Sequence, residues 1–311
     1  MIEDTAFAAR LERHRRELQI HCYRMLGSLE DSEDLVQETF LRAWRGRAGF
    51  GADGRSAVRA WLYRIATNAC LDALRRRPAR VLPHEVAEAG DPAVPPAPPA
   101  DLPWLQPYPT AADEVIERET IELAFIAAIQ HLPPRQRAVL ILRDVLGWSA
   151  SDAAALLEVT VASVNSGLQR ARVTLRDRLG ERSEWSSSAS ADERELLRRY
   201  VEAHESADAG ALAELLRDDA RLTMPPHPVW YAGREAILVA TKPGFDPAFG
   251  RLRAVVTEAN RQPAAAWYLQ RPGESAYRPL AIDVLRVEDG LVAEITSFVS
   301  SELYGAFGLP R

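Results

Sequence analysis

Two periodicities divide the chain. Over residues 1–80 and 111–182, apolar side chains recur every three or four positions, which predicts amphipathic helices. The apolar side chains within 35–44 fall close to one helical face, and so do those within 61–71. We therefore expect the first two parts of the chain to be all-helical.

The pattern changes in the last third of the chain. Two helices are predicted first, at 193–204 and 209–216. Four segments then alternate apolar and polar residues, at 251–259, 264–271, 278–290 and 291–300. Turn-forming residues separate these segments, which is typical of strands. This part is expected to be an α+β domain with an antiparallel sheet.

Ten of the 21 prolines lie between Pro78 and Pro109. Because proline cannot continue the hydrogen bonding of a helix or sheet, residues 81–110 are expected to form an extended, largely disordered spacer. A second, weaker break is the serine-rich stretch at 183–190. The expected domains are 1–80, 111–182 and 191–311, with a flexible linker at 81–110.

Residues 148–179 predict two short helices joined by a tight turn. Ser149 or Ser151 can cap the first helix. The second helix has an apolar stripe and an opposite face of small polar residues, glutamine and arginine. A recognition helix needs such a face to enter the major groove. On periodicity alone, an ordinary helical hairpin with a polar outer face fits equally well.

Composition narrows the class of protein. The 311 residues are 47% hydrophobic and 26% charged, as in globular proteins. We expect a cytoplasmic protein, because no apolar stretch is long enough to span a bilayer and the N-terminus does not resemble a signal peptide. Two cysteines without metal-ligand spacing predict buried thiols, no metal site and no disulfide framework. No cofactor is predicted.

Charge is unevenly distributed although the net charge is −6. Six arginines and one aspartate lie between Arg59 and Arg80, whereas acidic residues cluster between Glu30 and Glu38. Two such faces in one helical domain indicate two partners, one basic and one a polyanion. Either run alone could also be a solvated face.

Four motifs together carry a family resemblance. They are DSEDLVQETFLRAWR (31–45), AWLYRIATNACLDALRRR (60–77), LPPRQRAVLILRDVLGWSASDAAALL (132–157) and SVNSGLQRARVTL (163–175). In this order they resemble the extracytoplasmic-function class of sigma-70 factors, the promoter-recognition subunits of bacterial RNA polymerase. The resemblance covers the first two domains, as sigma region 2 and region 4.

The resemblance implies three sets of site residues. The helix that docks on the clamp of the polymerase's largest subunit corresponds to Asp31, Asp34, Gln37, Glu38, Phe40 and Trp44. Recognition of the minus-ten promoter element corresponds to Arg59, Trp61, Arg64, Asn68, Arg75 and Arg76. The minus-thirty-five element corresponds to Ser163, Asn165, Ser166, Gln169, Arg170 and Arg172. Trp61 and Asn68 could equally be core positions, and loop 45–56 is expected to hold an unstacked base.

Three positions depart from the family pattern. Asn165 and Gly167 stand where many members carry a basic residue, and Glu158 stands where glycine is common in the turn. The glycine lowers helix stability by about 1 kcal/mol relative to alanine. The promoter sequence therefore cannot be copied from relatives.

The third domain resembles a SnoaL-like domain of the NTF2-like cone fold. Related enzymes use a carboxylate or histidine base in the cone, so the resemblance makes His204, Asp208, His227 and Asp283 pocket candidates. Each candidate also has a purely structural explanation, such as helix capping by Asp208, and the sequence does not identify a pair with clear acid and base roles. The domain is expected to bind a small ligand or an intramolecular partner and to regulate the sigma domains in cis, not to be an enzyme.

The predicted architecture is thus multidomain, with two all-α sigma domains and one α+β cone. Its predicted function is to bind core RNA polymerase and promoter DNA and to direct transcription initiation. A first alternative is a bifunctional protein whose cone converts a small molecule. A second is a helix-turn-helix repressor, which would not need the acidic clamp-binding helix.

Overall fold

The computed structural model describes residues 2–47, 55–110, 121–179 and 189–311. The chain forms two compact units. Residues 1–80 and 117–185 form a helical unit, and residues 81–116 and 186–311 form a C-terminal unit. The two helical regions thus share one unit, whereas the sequence predicted separate modules.

The helical unit contains only helices and turns in its described residues. Its elements are α1 (Ile2–Glu12), α2 (Arg15–Leu26), α3 (Leu29–Gly46), α4 (Arg55–Leu74), α5 (Leu123–Gln130), α6 (Pro134–Leu140), α7 (Ala150–Leu157) and α8 (Val161–Leu179). A π-helical turn, Ile141–Val145, continues α6. No helix in the described ranges is both long and apolar enough to cross a membrane.

Local signals set the helix boundaries. The Ser28 hydroxyl accepts a hydrogen bond from the Asp31 amide at 3.2 Å and caps α3. The Ser149 hydroxyl caps α7 by accepting from the Asp152 amide at 3.0 Å, which confirms one of the two predicted caps. Glu158 follows α7 with a φ of 55°, in the left-handed region that favours glycine. These residues make the tight turn that was predicted before α8.

A buried arginine joins the two helical regions. Arg137 on α6 is only 2% exposed. Its guanidinium donates to the Met25 carbonyl and, at 2.6 Å, to the side-chain oxygen of Gln130. The amide of Gln130 in turn donates to the Arg24 carbonyl at 3.4 Å. Because the carbonyls at the end of α2 lack partners within the helix, these donors satisfy them and fix α6 on α2.

The C-terminal unit is built on one six-stranded sheet with strand order β2-β1-β6-β5-β4-β3. Its elements are α9 (Ala191–Glu205), α10 (Ala209–Leu215), β1 (Leu216–Thr223), β2 (Trp230–Ala232), α11 (Arg234–Thr241), β3 (Arg251–Ala259), β4 (Gln262–Gln270), β5 (Arg278–Glu288), β6 (Leu291–Phe298) and α12 (Leu303–Ala306). Strands β1 and β6 pair in parallel and the other neighbours are antiparallel. The predicted antiparallel sheet therefore contains one parallel pair.

The core of this unit lies between the sheet and helices α9, α10 and α11. Apolar residues of the helices, such as Leu197, Leu212 and Ile237, pack against Trp267 and Leu285 of the sheet. The expected α+β cone domain is confirmed, with its helices packed on one six-stranded sheet.

The proline-rich segment 81–110 belongs to the C-terminal unit and is not a disordered spacer. Trp104, Leu105 and Tyr108 are 8%, 1% and 5% exposed. The Trp230 indole donates to the Ala87 carbonyl at 2.9 Å. The expectation of disorder was wrong because proline removes donors but leaves carbonyl acceptors, and because the buried aromatic residues offset the entropy of ordering. We call residues 81–110 the strap.

Candidate functional site

The acidic face of α3 offers part of its predicted set to solvent. Asp34 and Gln37 are exposed, and the half-buried Glu38 pairs with Arg42 at 2.8 Å. Asp31 differs, because its carboxylate pairs with Arg77 and Arg80. Burial opposes ionisation of Asp31, but the hydrogen bonds from the two arginines lower its pKa overall. Asp31 is thus engaged inside the unit.

Two aromatic residues lie behind this face. The guanidinium of Arg15 lies 4.9 Å from the ring centroid of Phe40. Trp44 packs its ring 6.0 Å from that of Phe7. These contacts join α3 to α1 and α2, so Phe40 and Trp44 position the acidic face and expose only part of each ring.

Helix α4 and the residues after it bring most of the predicted minus-ten set together. Trp61, Arg64 and Asn68 follow one another at spacings of three and four on one face of α4. Arg64 and Asn68 are exposed and Trp61 is half-buried. Asn68 is therefore not a core position. Arg75 and Arg76, directly after the helix, are exposed as well.

Arg59 stands apart from this set. Its guanidinium donates to the Glu17 carboxylate at 2.7 Å and lies 4.9 Å from the ring centroid of Tyr63. Burial opposes the charge, but the Glu17 hydrogen bond raises the pKa of Arg59 overall. The structure therefore gives Arg59 an internal partner. Of the predicted base-binding loop 45–56, residues 48–54 lie outside the described residues.

Helix α8 presents a continuous polar surface. Its exposed members are Ser163, Asn165, Ser166, Gln169 and Arg170. Val164, Leu168 and Ala171 are buried on the opposite side. The unit thus has the two-helix turn geometry that was predicted, with the polar face of the second helix open to a partner.

Arg172 contacts the π-helical turn that follows α6. It donates two hydrogen bonds to the Asp144 carboxylate, at 2.8 and 2.7 Å. Beside it lies a groove of about 590 Å³ whose polar lining is Arg143, Asn165, Gln169, Arg172 and Arg176. Sequence reasoning missed Arg143, because it lies 22 positions before Asn165 and only the packing of α6 on α8 brings the two together.

In the cone, His204 and Asp283 lie in one buried cluster. The Oδ2 atom of Asp283 accepts from the Tyr200 hydroxyl at 2.8 Å and from the Trp267 indole at 2.7 Å. The Nδ1 atom of His204 donates to the Tyr200 carbonyl at 2.9 Å. Sequence reasoning missed Tyr200 and Trp267, although the spacing of four between Tyr200 and His204 places both on one face of α9. We call these four residues the cone cluster.

The remaining candidates lie elsewhere. The Nδ1 atom of His227 donates to the Ala97 carbonyl of the strap at 2.7 Å, so the structure places His227 against the strap. Asp208 accepts from the Ala211 amide at 2.9 Å and caps α10. Its predicted capping role is confirmed.

Three family descriptions match the chain. Residues 11–80 match Sigma-70 region 2, residues 122–175 match Sigma-70, region 4, and residues 197–295 match a SnoaL-like domain. These matches fall on α2–α4, on α5–α8 and on the cone. Both regions that carry the exposed polar faces are therefore sigma regions by similarity.

Individual proteins show the same likeness. The chain is 42% identical to the ECF RNA polymerase sigma factor SigG of Mycobacterium tuberculosis, over 98% of this chain and 84% of the relative. It is 30% identical to the ECF RNA polymerase sigma factor SigW of Bacillus subtilis, over 57% of this chain and 90% of the relative. The crystal structure of Mycobacterium tuberculosis SigJ shares the fold, with a TM-score of 0.66 at 20% identity over 97% of this chain and 100% of that one.

Proposed function

Because the chain belongs to the extracytoplasmic-function sigma factors of RNA polymerase, we propose that it binds the core enzyme and directs it to promoters with minus-ten and minus-thirty-five elements. The observation that carries this proposal is the combination, in one helical unit, of an acidic face on α3 and two exposed polar helix faces on α4 and α8. A repressor would need only the last of these surfaces.

The polymerase-binding surface is assigned to Asp34, Gln37 and Glu38. Asp34 and Gln37 are exposed on the outer face of α3, and Glu38 beside them is half-buried. Asp31 positions the end of this surface through Arg77 and Arg80, and Phe40 and Trp44 support it from behind. A basic partner surface, such as the polymerase clamp that the family resemblance implies, complements this charge.

Promoter DNA is assigned to two surfaces. Arg64 and Arg76 supply cations for the minus-ten strand, and Asn68 supplies a bidentate amide. Arg75 adds a charge whose partner Asp72 is itself exposed, and the half-buried Trp61 lies on the same face of α4. Ser163, Asn165, Ser166, Gln169 and Arg170 face the minus-thirty-five groove, where Gln169 and Arg170 carry the groups that read base edges. Arg59 and Arg172 reach DNA only if their pairs with Glu17 and Asp144 open, so we assign them positioning roles.

A charge-reversal experiment tests polymerase binding. The double variant Asp34→Lys/Glu38→Lys should lose affinity for purified core polymerase and promoter-directed transcription together, because the introduced lysines repel a basic surface. Glu202→Lys/Glu214→Lys changes the net charge equally at exposed positions of α9 and α10 and is the matched control. Unchanged polymerase binding by the α3 variant would contradict the proposal, and retained DNA binding without polymerase would favour the repressor alternative.

We further propose that the C-terminal unit regulates the sigma regions in cis. Support comes from the strap, which connects region 2 to region 4 along the chain and is hydrogen-bonded to the C-terminal unit near residues 87–90, 97–100 and 108–110. A unit that holds the strap also limits the separation of the regions that the strap connects. The negative charge of residues 183–311 would further favour contact with basic sigma surfaces.

We assign no catalytic reaction to this protein and place it in the cytoplasm, where transcription occurs. Neither His204 nor Asp283 has the acid and base arrangement of an isomerase, because Asp283 accepts from Tyr200 and His204 donates its Nδ1 proton to the Tyr200 carbonyl. The alternative of a bifunctional protein is favoured by one observation only, the incomplete hydrogen bonding of Asp283. Turnover of a small molecule by the purified chain would establish that alternative.

A further inference from the structure

The cone cluster contains a carboxylate, that of Asp283, of which only one oxygen accepts hydrogen bonds. Asp283 is 6% exposed. Its Oδ2 atom has two donors, Tyr200 and Trp267. Its Oδ1 atom is buried without a hydrogen-bond partner in the part of the chain that the structure describes. A buried carboxylate oxygen without a donor is unfavourable, so this atom points to a missing partner.

The neighbouring histidine cannot supply the missing donor while it is neutral. Burial lowers the pKa of His204, which keeps the ring uncharged near neutral pH. Since its Nδ1 atom donates to the Tyr200 carbonyl at 2.9 Å, the other ring nitrogen carries no proton and is an acceptor. The cluster therefore presents two acceptors, and the described residues form no ion pair with Asp283.

Aromatic rings surround His204, and two of them, Tyr200 and Trp267, also donate hydrogen bonds to Asp283. The ring centroid of His204 lies 4.4 Å from that of Tyr200, 5.1 Å from that of Trp267 and 5.6 Å from that of Phe245. Aromatic faces attract cations, and they do so more strongly where water is excluded. A carboxylate among such rings is the arrangement that suits an organic cation.

We propose that the cone cluster binds the protonated amine of a small organic molecule. The ammonium group donates a hydrogen bond to Asp283 Oδ1 and neutralises its charge, and the carbon skeleton lies against the rings of Trp267 and Phe245. A neutral alcohol would supply a donor but no compensating charge, and an anion would be repelled. A metal ion is a poorer match, because no group of three metal-ligating side chains occurs among the described residues.

The test uses the full chain and pairs of probes that differ in charge. Methylamine, benzylamine and phenethylamine are titrated by calorimetry and thermal shift against methanol, benzyl alcohol and phenethyl alcohol. At least one amine should bind and raise the melting temperature, with its alcohol roughly tenfold or more weaker. If no amine binds, or if an alcohol binds as well as its amine, the proposal is wrong. The titration needs no polymerase, so its failure leaves the sigma function untouched.

Two variants assign the binding to this cluster. Asp283→Asn keeps the shape and an acceptor for Tyr200 and Trp267 but removes the charge. It should raise the melting temperature of the ligand-free chain and weaken amine binding roughly 30-fold or more. Asp219→Asn, at a side chain that is 71% exposed on β1, is the matched control and should bind amines normally. Normal amine binding by Asp283→Asn would overturn the assignment.

Phe245→Leu is the second variant of the site, and it tests the proposal even if Asp283→Asn does not fold. Phe245→Leu removes a ring that contacts His204 without touching the hydrogen bonds of Asp283. It should weaken amine binding by roughly three- to tenfold and alcohol binding by less, because an alcohol loses only packing against the ring. An equal loss for amines and alcohols would show that the ring only packs, and would overturn the cation site.

Discussion

Asn260 holds the strap through two hydrogen bonds, and its replacement by glycine should loosen the strap selectively. It lies in the β3–β4 turn with a φ of 55°. Its side-chain oxygen accepts from the Tyr108 amide at 2.8 Å, and its own amide donates to the Tyr108 carbonyl at 2.8 Å. Glycine adopts the same backbone conformation without strain. Asn260→Gly therefore removes the first hydrogen bond and keeps the turn and the second.

The free-energy cost of losing this hydrogen bond depends on how deeply the Tyr108 amide is buried. Tyr108 is 5% exposed, so its amide would lose its partner where little water can replace it, at a cost of about 1–3 kcal/mol. Relief of the positive φ offsets roughly 0.5 kcal/mol of this. The net weakening of about 0.5–2.5 kcal/mol corresponds to roughly a 2- to 70-fold larger population with the strap released.

Hydrogen–deuterium exchange of the full-length chain measures this population. Amides between 103 and 110 should exchange faster in Asn260→Gly by about the calculated factor, since local opening limits their exchange. Asp289→Gly is the control, because Asp289 has a φ of 53° in the β5–β6 turn and its side chain is 93% exposed. It should leave exchange in the strap unchanged.

Transcription with core polymerase is the second measurement. If the C-terminal unit restrains the sigma regions, output from a cognate promoter should rise in Asn260→Gly and not in Asp289→Gly. Unchanged exchange in Asn260→Gly would refute the reasoning about strap packing. Faster exchange with unchanged output would refute regulation in cis while leaving the packing intact.

Four further changes test the helical unit by thermal and urea unfolding. Gly167→Ala should stabilise it by about 1 kcal/mol, because an added Cβ would meet only a Val139 methyl at 3.9 Å. Glu158→Gly should add roughly 0.5–1 kcal/mol by relieving its positive φ. Arg137→Ala should cost about 3 kcal/mol or more, because buried carbonyls lose their donor. Burial lowers the pKa of His21 in the folded chain to about 3, so between about pH 6.5 and pH 3 only the unfolded chain binds a proton at this histidine. The free energy of unfolding should therefore fall as the pH is lowered through this range, and His21→Gln should reduce that fall. The opposite sign of any of these shifts would contradict the corresponding argument.

Local structure was predictable because it depends on neighbours in sequence. The spacing of apolar residues located α3, α4 and α8, and the cap at Ser149 followed from residue type and position. The alternation that marked the strands likewise needs only a few residues. The parallel pairing of β1 with β6 was not predictable in this way, because it joins segments about 70 residues apart.

Contacts between distant residues explain the failed predictions. The pairs of Asp31 with Arg77 and Arg80 span 46 and 49 positions, so the acidic and basic runs were assigned to separate partners when part of each pairs with the other. Composition also misled for the strap. Its prolines indicated disorder, whereas the few large apolar residues among them, such as Trp104, decide that it packs.

If the C-terminal unit regulates the sigma regions as proposed, the strap sets an upper limit on how strongly it can restrain them. About 30 extended residues could span roughly 100 Å, so a fully released strap would let regions 2 and 4 bind surfaces far apart once the contacts of Arg137 with α2 also open. Release costs the hydrogen bonds at residues such as Ala87 and Tyr108 and the burial of a few apolar side chains. Nanomolar binding to a polymerase supplies about 12 kcal/mol. A partner shifts such an equilibrium only by its preference for the released state. A restraint of this kind therefore has to be weaker than that preference, and under the proposed regulation the loss of one buried hydrogen bond should alter transcription.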